Sequence, residues 1–132
     1  MGYTHYWKIK SELDFNKEGF RSAVQALIED GFQKGIIQYE SDTNEYPEFD
    51  EASLRFNGVA GDGHETLLIN TRMTSFDLCK TARKPYDAYV VAALMLLEKY
   101  FPESFEWSSD GDSEDHVAGE ALFQQSLQLN LI

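Results

Sequence analysis

Hydrophobic and polar positions follow two different periods along this chain. From Tyr3 to Lys10 the period is two, with Tyr3, His5, Trp7 and Ile9 on one side and Thr4, Tyr6, Lys8 and Lys10 on the other, which predicts a strand. The period then becomes helical. Phe20, Val24, Leu27, Ile28 and Phe32 make one face, Lys17, Arg21, Gln25 and Glu29 lie outside it, Asp14 or Asn16 is placed to cap the start, and Gly35 the end. Ile36–Glu40, Ala52–Val59 and His64–Asn70 read as further strands, the last two joined by the glycine-rich hairpin Gly58–Gly63. Ser41–Glu51 reads as an acidic loop, Arg72–Lys84 as irregular, Phe105–Ser109 as a short strand and His116–Leu127 as a closing amphipathic helix.

The most apolar run belongs to a helix over Pro85–Phe101. Pro85 suits the first helical position, Asp87 puts negative charge on the helix start, and Pro102 ends it. Tyr86, Tyr89, Val90, Ala93, Leu94 and Leu97 form one apolar face, while Val91, Met95 and Leu96 fill much of the opposite one, so the helix is expected to be covered on more than one side. Its apolar stretch falls well short of the ~20 residues of a membrane span. Helices and strands are interspersed without βαβ repetition. The expected architecture is a single α+β domain over 1–132, with an antiparallel or mixed sheet of about five strands on two or three helices and Pro85–Phe101 as the central buried helix.

Charge sharpens this picture. The formal net charge is −12, and Glu40–Glu51 and Glu103–Asp115 each hold six acids and no Lys or Arg. Such a surface disfavours direct nucleic-acid binding and anionic membranes and favours a basic protein partner; it leaves a homo-oligomer open. A single cysteine excludes an internal disulfide, and the opening residues carry no basic, apolar leader pattern, so the expected location is the cytoplasm. Against this background Lys80, Arg83 and Lys84 are concentrated immediately before the apolar helix. With Thr81 and a helix start they suit a phosphate or carboxylate; alternatively they pair with the acidic loops. Arg72 can join them, and Tyr6 or Trp7 can stack a base.

Other chemistry is thinner. No Gly-x4-Gly-Lys-Ser/Thr phosphate loop occurs. Asp110, Asp112 and Glu114 alternate as in a calcium loop, but the sixth and twelfth positions hold Asp115 and Ala121, so no metal or other cofactor is expected. His5, His64 and His116 lie far apart. Cys79 beside Lys80 and Arg83 is either a thiol of lowered pKa or, preferably, a buried structural one. No acid/base or nucleophile pattern marks catalytic residues, which leans against an enzyme.

Three blocks carry a resemblance: Met1-Gly2-Tyr3-Thr4-His5-Tyr6-Trp7; Phe76-Asp77-Leu78-Cys79-Lys80-Thr81-Ala82-Arg83-Lys84-Pro85-Tyr86-Asp87; and Ser108-Ser109-Asp110-Gly111-Asp112. With them the chain resembles a family of small bacteriophage and prophage proteins that has no settled activity to carry over. The resemblance implies a role in infection, including antagonism of host defence, in the host cytoplasm. Combined with the residues, it frames the first functional expectation: a small binding protein that captures an anionic, nucleotide-like molecule, such as a cyclic-nucleotide immune signal, through Lys80, Thr81, Arg83, Lys84, Arg72, Tyr6 and Trp7. The alternative is an acidic inhibitor occupying a basic groove of a host protein, and an enzyme comes third.

Overall fold

The computed structural model describes residues 3–72 and 75–129. It is an α+β fold with two antiparallel sheets and three helices. The first sheet contains β1 (Thr4–Ile9) at its centre, flanked by β6 (Ser75–Lys80) and β7 (Phe105–Ser109). The second is built on β4 (Ser53–Gly58), which pairs with β2 (Ile37–Gln38), β3 (Glu48–Phe49) and β5 (Leu67–Asn70). The strands thus divide between two sheets where one sheet of about five is expected, and the α+β class stands. Among the described residues no helix is long and apolar enough to cross a membrane.

The first helix, α1 (Phe20–Gln33), buries Phe20, Ala23, Val24, Leu27 and Ile28. Neither Asp14 nor Asn16 caps it. Gly19 precedes it with a left-handed φ of 87°, while the Asp14 carboxylate instead accepts the Asn16 N–H in a local turn. The far end follows the sequence reading. Gly35 is left-handed, its N–H reaches the Phe32 carbonyl and the Ile36 N–H reaches Gly31, the paired bonds of a Schellman motif.

The central helix, α2 (Asp87–Tyr100), begins two residues later than Pro85, because Pro85 and Tyr86 lie in the turn that leads into it. Eight of its fourteen residues are buried. It packs against α1, β7 and the last helix, α3 (Val117–Leu129). Gly119 makes the α2–α3 approach close, since a Cβ there would lie 2.5 Å from the Val91 Cβ.

One segment departs from the sequence reading. Within the Arg72–Lys84 stretch expected to be irregular, Ser75–Lys80 forms the edge strand β6, registered on β1 from Lys8↔Phe76 to Thr4↔Lys80. Its apolar alternation points the unusual way. Phe76 and Leu78 are exposed and Cys79 is buried, so no inward apolar row announces the strand. A two-residue strand, β3, also interrupts the acidic loop, and the Gly58–Gly63 connection contains a 3-10 turn at Ala60–Asp62.

Leu94 is fully buried on α2. Leu94→Ala should lower unfolding stability by about 2–5 kcal/mol, from lost burial and the cavity left behind. Denaturant unfolding measures it, and a loss below about 1 kcal/mol would mean that α2 is not central to the core.

Candidate functional site

Strand alternation separates the residues that the sequence groups together. Tyr6 and Trp7 are neighbours on β1 and therefore point to opposite sides of the sheet. Trp7 is 2% exposed within the hydrophobic core and offers no stacking surface to a ligand. Tyr6 lies on the outward face, stacked on Phe76 with ring centroids 6.3 Å apart and an interplanar angle of 23°. The same face carries Thr4, Lys8, Leu78, Lys80, Glu106 and Ser108, by the registers Tyr6↔Leu78, Tyr6↔Ser108 and Lys8↔Glu106. Phe76 is 67% exposed and Leu78 38%. This is an open apolar patch on an edge strand.

The basic block sits at the end of that face, in the turn from β6 into α2. Lys80 closes β6; its backbone N–H donates to the Glu65 carboxylate and its carbonyl accepts the Glu65 N–H. Thr81 is fully buried and its hydroxyl donates to Asp87 Oδ1 at 2.5 Å. Ala82 and Arg83 are both left-handed, with φ of 53° and 57°, a conformation that costs energy for residues with a Cβ. The turn delivers the Arg83 guanidinium 4.2 Å above the Tyr3 ring and into an ion pair with Asp115. Lys84 continues the turn, its N–H donating to the Thr81 carbonyl. Among the described residues Lys80 and Lys84 have no carboxylate partner within 4.0 Å. Arg72 does not join the block. It lines a cavity of about 400 Å³ with Glu12, Asp14 and Glu51, an acidic setting.

The start of α2 is already occupied. Asp87 Oδ1 accepts the Thr81 hydroxyl and contacts His5 Nε2 at 2.6 Å, so the helix N-terminus holds a carboxylate of the chain itself. His5 is completely buried, and its Nδ1 has no hydrogen-bond partner among the described residues. Around it gather the Tyr3 ring at 5.1 Å, Trp107 at 5.9 Å and His116 at 6.0 Å, centroid to centroid. His116 Nε2 lies 3.2 Å from the Ser109 hydroxyl, which also accepts the Gly111 N–H. Burial, then the neighbouring His5, lower the His116 pKa from its ordinary 6.5. Burial raises that of Tyr3, partly offset by the Ser109 hydroxyl. Among the described residues the buried Tyr3 hydroxyl has no hydrogen-bond partner.

The acidic segment after β7 uses its carboxylates on its own backbone, on β1 and on Arg83. Asp110 accepts the Thr4 N–H and the Tyr6 hydroxyl, Asp112 accepts the N–H groups of Glu114 and Asp115, and Asp115 accepts that of Asp112. The Asp112 N–H and then Arg83 hold the Asp115 carboxyl below the usual range. Cys79 is buried and its thiol is pushed up to about 12 by burial and the nearby Glu65 carboxylate, which makes it a structural thiol and not a reactive one.

Sequence reasoning missed the His5–Asp87 and Ser109–His116 contacts. The first joins residues 82 apart in the chain, and no local spacing marks it. The second spans only seven residues, but a strand end, a turn and a helix start intervene, so no helical or strand period connects them.

Two outcomes test this arrangement. A Cβ at Gly111 would lie 2.8 Å from Tyr3 Cε1 and Cζ, and Tyr3 is buried and cannot retreat. Gly111→Ala should therefore cost about 1–3 kcal/mol in unfolding stability. Because the His116 pKa is lower folded than unfolded, the unfolded chain takes up a proton first as pH falls. Stability should be full above 6.5, decline as pH drops below 6.5 and level off beneath the folded pKa. In His116→Gln, urea midpoints across that range should lose this component, and an unchanged profile would reject it. Compared with known proteins, the chain matches no protein-family model, no curated protein and no solved structure.

Proposed function

We propose that the protein is an acidic protein-binding module, that its contact surface is the outward face of the β6–β1–β7 sheet, and that its partner is a basic protein. The observation that carries this reading is Phe76, 67% exposed on an edge strand and stacked on Tyr6, with Leu78 beside them. Contiguous exposed apolar side chains on a small protein mark interaction surfaces, and aromatic anchors supply most of the energy of such contacts. The net charge of −12 attracts basic surfaces over long range and raises encounter rates. Asp110, which accepts the Tyr6 hydroxyl, is an exposed carboxylate at the border of the patch. In the phage setting that the resemblance implies, the partner is a host protein, and docking covers its basic groove.

Capture of a nucleotide-like anion is the second reading. The near-parallel Tyr6–Phe76 pair with Lys8 and Lys80 on the same face favours it, since such a platform can stack a base beside positive charge. It ranks second for two reasons. Glu106 and Asp110 lie beside those lysines, so the face has no net positive charge, and Arg83 is engaged by Asp115. Lys8 itself acts on Glu106, whose carboxyl it helps hold below the ordinary range after the larger effect of Lys10.

The two readings separate experimentally. The double variant Phe76→Ser/Leu78→Ser should keep wild-type stability within about 0.5 kcal/mol, because both side chains face solvent. It should lose at least about 10-fold in affinity for a protein partner retained by wild type from host extract, and that retention should weaken with salt. Retention unaffected by the double variant removes the sheet face from the reading. A thermal shift of wild type with cyclic or linear nucleotides, abolished by Phe76→Ser, would put the second reading first.

A further inference from the structure

On the inner side of the same sheet, Ser109, His116 and Tyr3 are arranged with complementary chemical roles. Ser109 ends β7 with its side chain turned inward beside His5, its register partner on β1. Its hydroxyl has one proton and two lone pairs. The Gly111 N–H takes one lone pair at 3.0 Å, and His116 Nε2 lies 3.2 Å away, within reach of the proton. The Tyr3 hydroxyl, buried and without a hydrogen-bond partner among the described residues, lies against Gly111, two residues from Ser109. A nucleophile with an adjacent base and an uncommitted donor is the constellation required for acyl transfer.

We propose that Ser109 is an acyl acceptor, with His116 as its general base and the Tyr3 hydroxyl as the donor to the developing oxyanion. The surroundings hold these groups in place. Trp107 packs 5.2 Å from the His116 ring, and His5, fixed by Asp87, lies behind both His116 and Tyr3. The Arg83 guanidinium covers the Tyr3 ring. His5 and Asp87 are positioning residues here. His116 is held toward its neutral form by burial and by His5, which leaves Nε2 able to accept a proton near neutral pH.

Electrostatics select the substrate class. Asp112 and Asp115 act on His116, Asp110 follows Ser109 directly, and the one guanidinium nearby is paired with Asp115. A phosphate ester would meet these carboxylates, whereas a neutral carboxylic ester would not. In the step itself Ser109 Oγ bonds to the carbonyl carbon while its proton moves to His116 Nε2. The carbonyl oxygen becomes negative beside the Tyr3 hydroxyl. The intermediate then collapses, the ester C–O bond breaks, and the leaving alkoxide takes the proton from His116. The products are O-acyl-Ser109 and an alcohol, with no redox change.

The bland alternative is that the Ser109 hydroxyl only caps the Gly111 N–H and that His116 only packs on Trp107. The test uses the full chain with para-nitrophenyl acetate, a small neutral acyl donor, read by nitrophenolate release and by peptide mapping of the acetyl group. Ser108 is the internal control. It is exposed on the opposite face and has no imidazole partner among the described residues. Acetyl should appear on Ser109 and not on Ser108. His116→Gln should slow the reaction about 100-fold or more, and Tyr3→Phe should slow it while leaving its pH profile in place. The wild-type rate should rise with pH through a pKa below 6.5 and then level off. No acetyl on Ser109, equal modification of Ser108, or a His116→Gln variant as fast as wild type would overturn the proposal. Because mapping on wild type alone decides the first two outcomes, the test survives a variant that fails to fold.

Discussion

The carboxylate of Asp87 is the point on which this end of the molecule depends. Moving a charge out of water is costly unless hydrogen bonds and opposite charge compensate it. Asp87 obtains both. It sits in the first turn of α2, where the helix dipole favours a negative group, and one of its oxygens receives the Thr81 hydroxyl and meets His5 Nε2. Those partners come from β1 and from the turn after β6. One side chain therefore fixes the N-terminal strand, the basic turn and the central helix relative to one another. The left-handed pair Ala82–Arg83 is tolerated because both ends of its turn are anchored, Thr81 to Asp87 and Arg83 to Asp115. Removing the Asp87 carboxylate would leave the buried His5 without a partner on either ring nitrogen.

That anchoring also changes what the start of α2 can offer to an anion. A helix N-terminus binds phosphate when its N–H groups and its positive end are free to face the ligand. Here the position is filled internally, and Arg83, the residue best shaped for bidentate recognition, is turned over Tyr3 and paired with Asp115. Among the described residues Lys80 and Lys84 are left without a carboxylate partner within 4.0 Å. Of the three cations in the block, Arg83 is offset within the chain, by Asp115.

How far the sequence could be read depended on whether burial and alternation agreed. The α2 helix was legible because its two-sided apolar composition reports its burial directly, and Pro102 marks its end. The inward row Tyr3, His5, Trp7 and Ile9 was legible for the same reason. β6 was not, because Phe76 and Leu78 face water and only Cys79 of its described inward side is apolar, so the rule that apolar residues mark the core pointed away from a strand. The helix α1 start was missed because Gly19 reaches it through a positive φ, a backbone solution that leaves no capping side chain to recognise. Of the site, the residues Lys80, Thr81 and Arg83 could be named from their local concentration. What each one touches could not, because Asp115 and Asp87 reach them through tertiary folding alone.

The two faces of β1 place different chemistry one residue apart, and Asp110 connects them. One of its oxygens accepts the hydroxyl of Tyr6 on the outward face, and the other accepts the Thr4 N–H at the strand edge. Asp110 directly follows Ser109, whose hydroxyl lies on the inner side with His116. Tyr6 is therefore linked by one hydrogen bond to the residue that follows Ser109 in the chain. Proximity alone does not make such a connection regulatory, because energetic coupling requires an element with two arrangements that each site prefers differently. The segment from Asp110 to His116 has the composition of such an element. It is held by side-chain-to-backbone bonds of Asp110, Asp112 and Asp115 and by the single Arg83 ion pair, and contributes no side chain to the hydrophobic core. Segments stabilised in this way open at lower free energy than the packed strands and helices beside them.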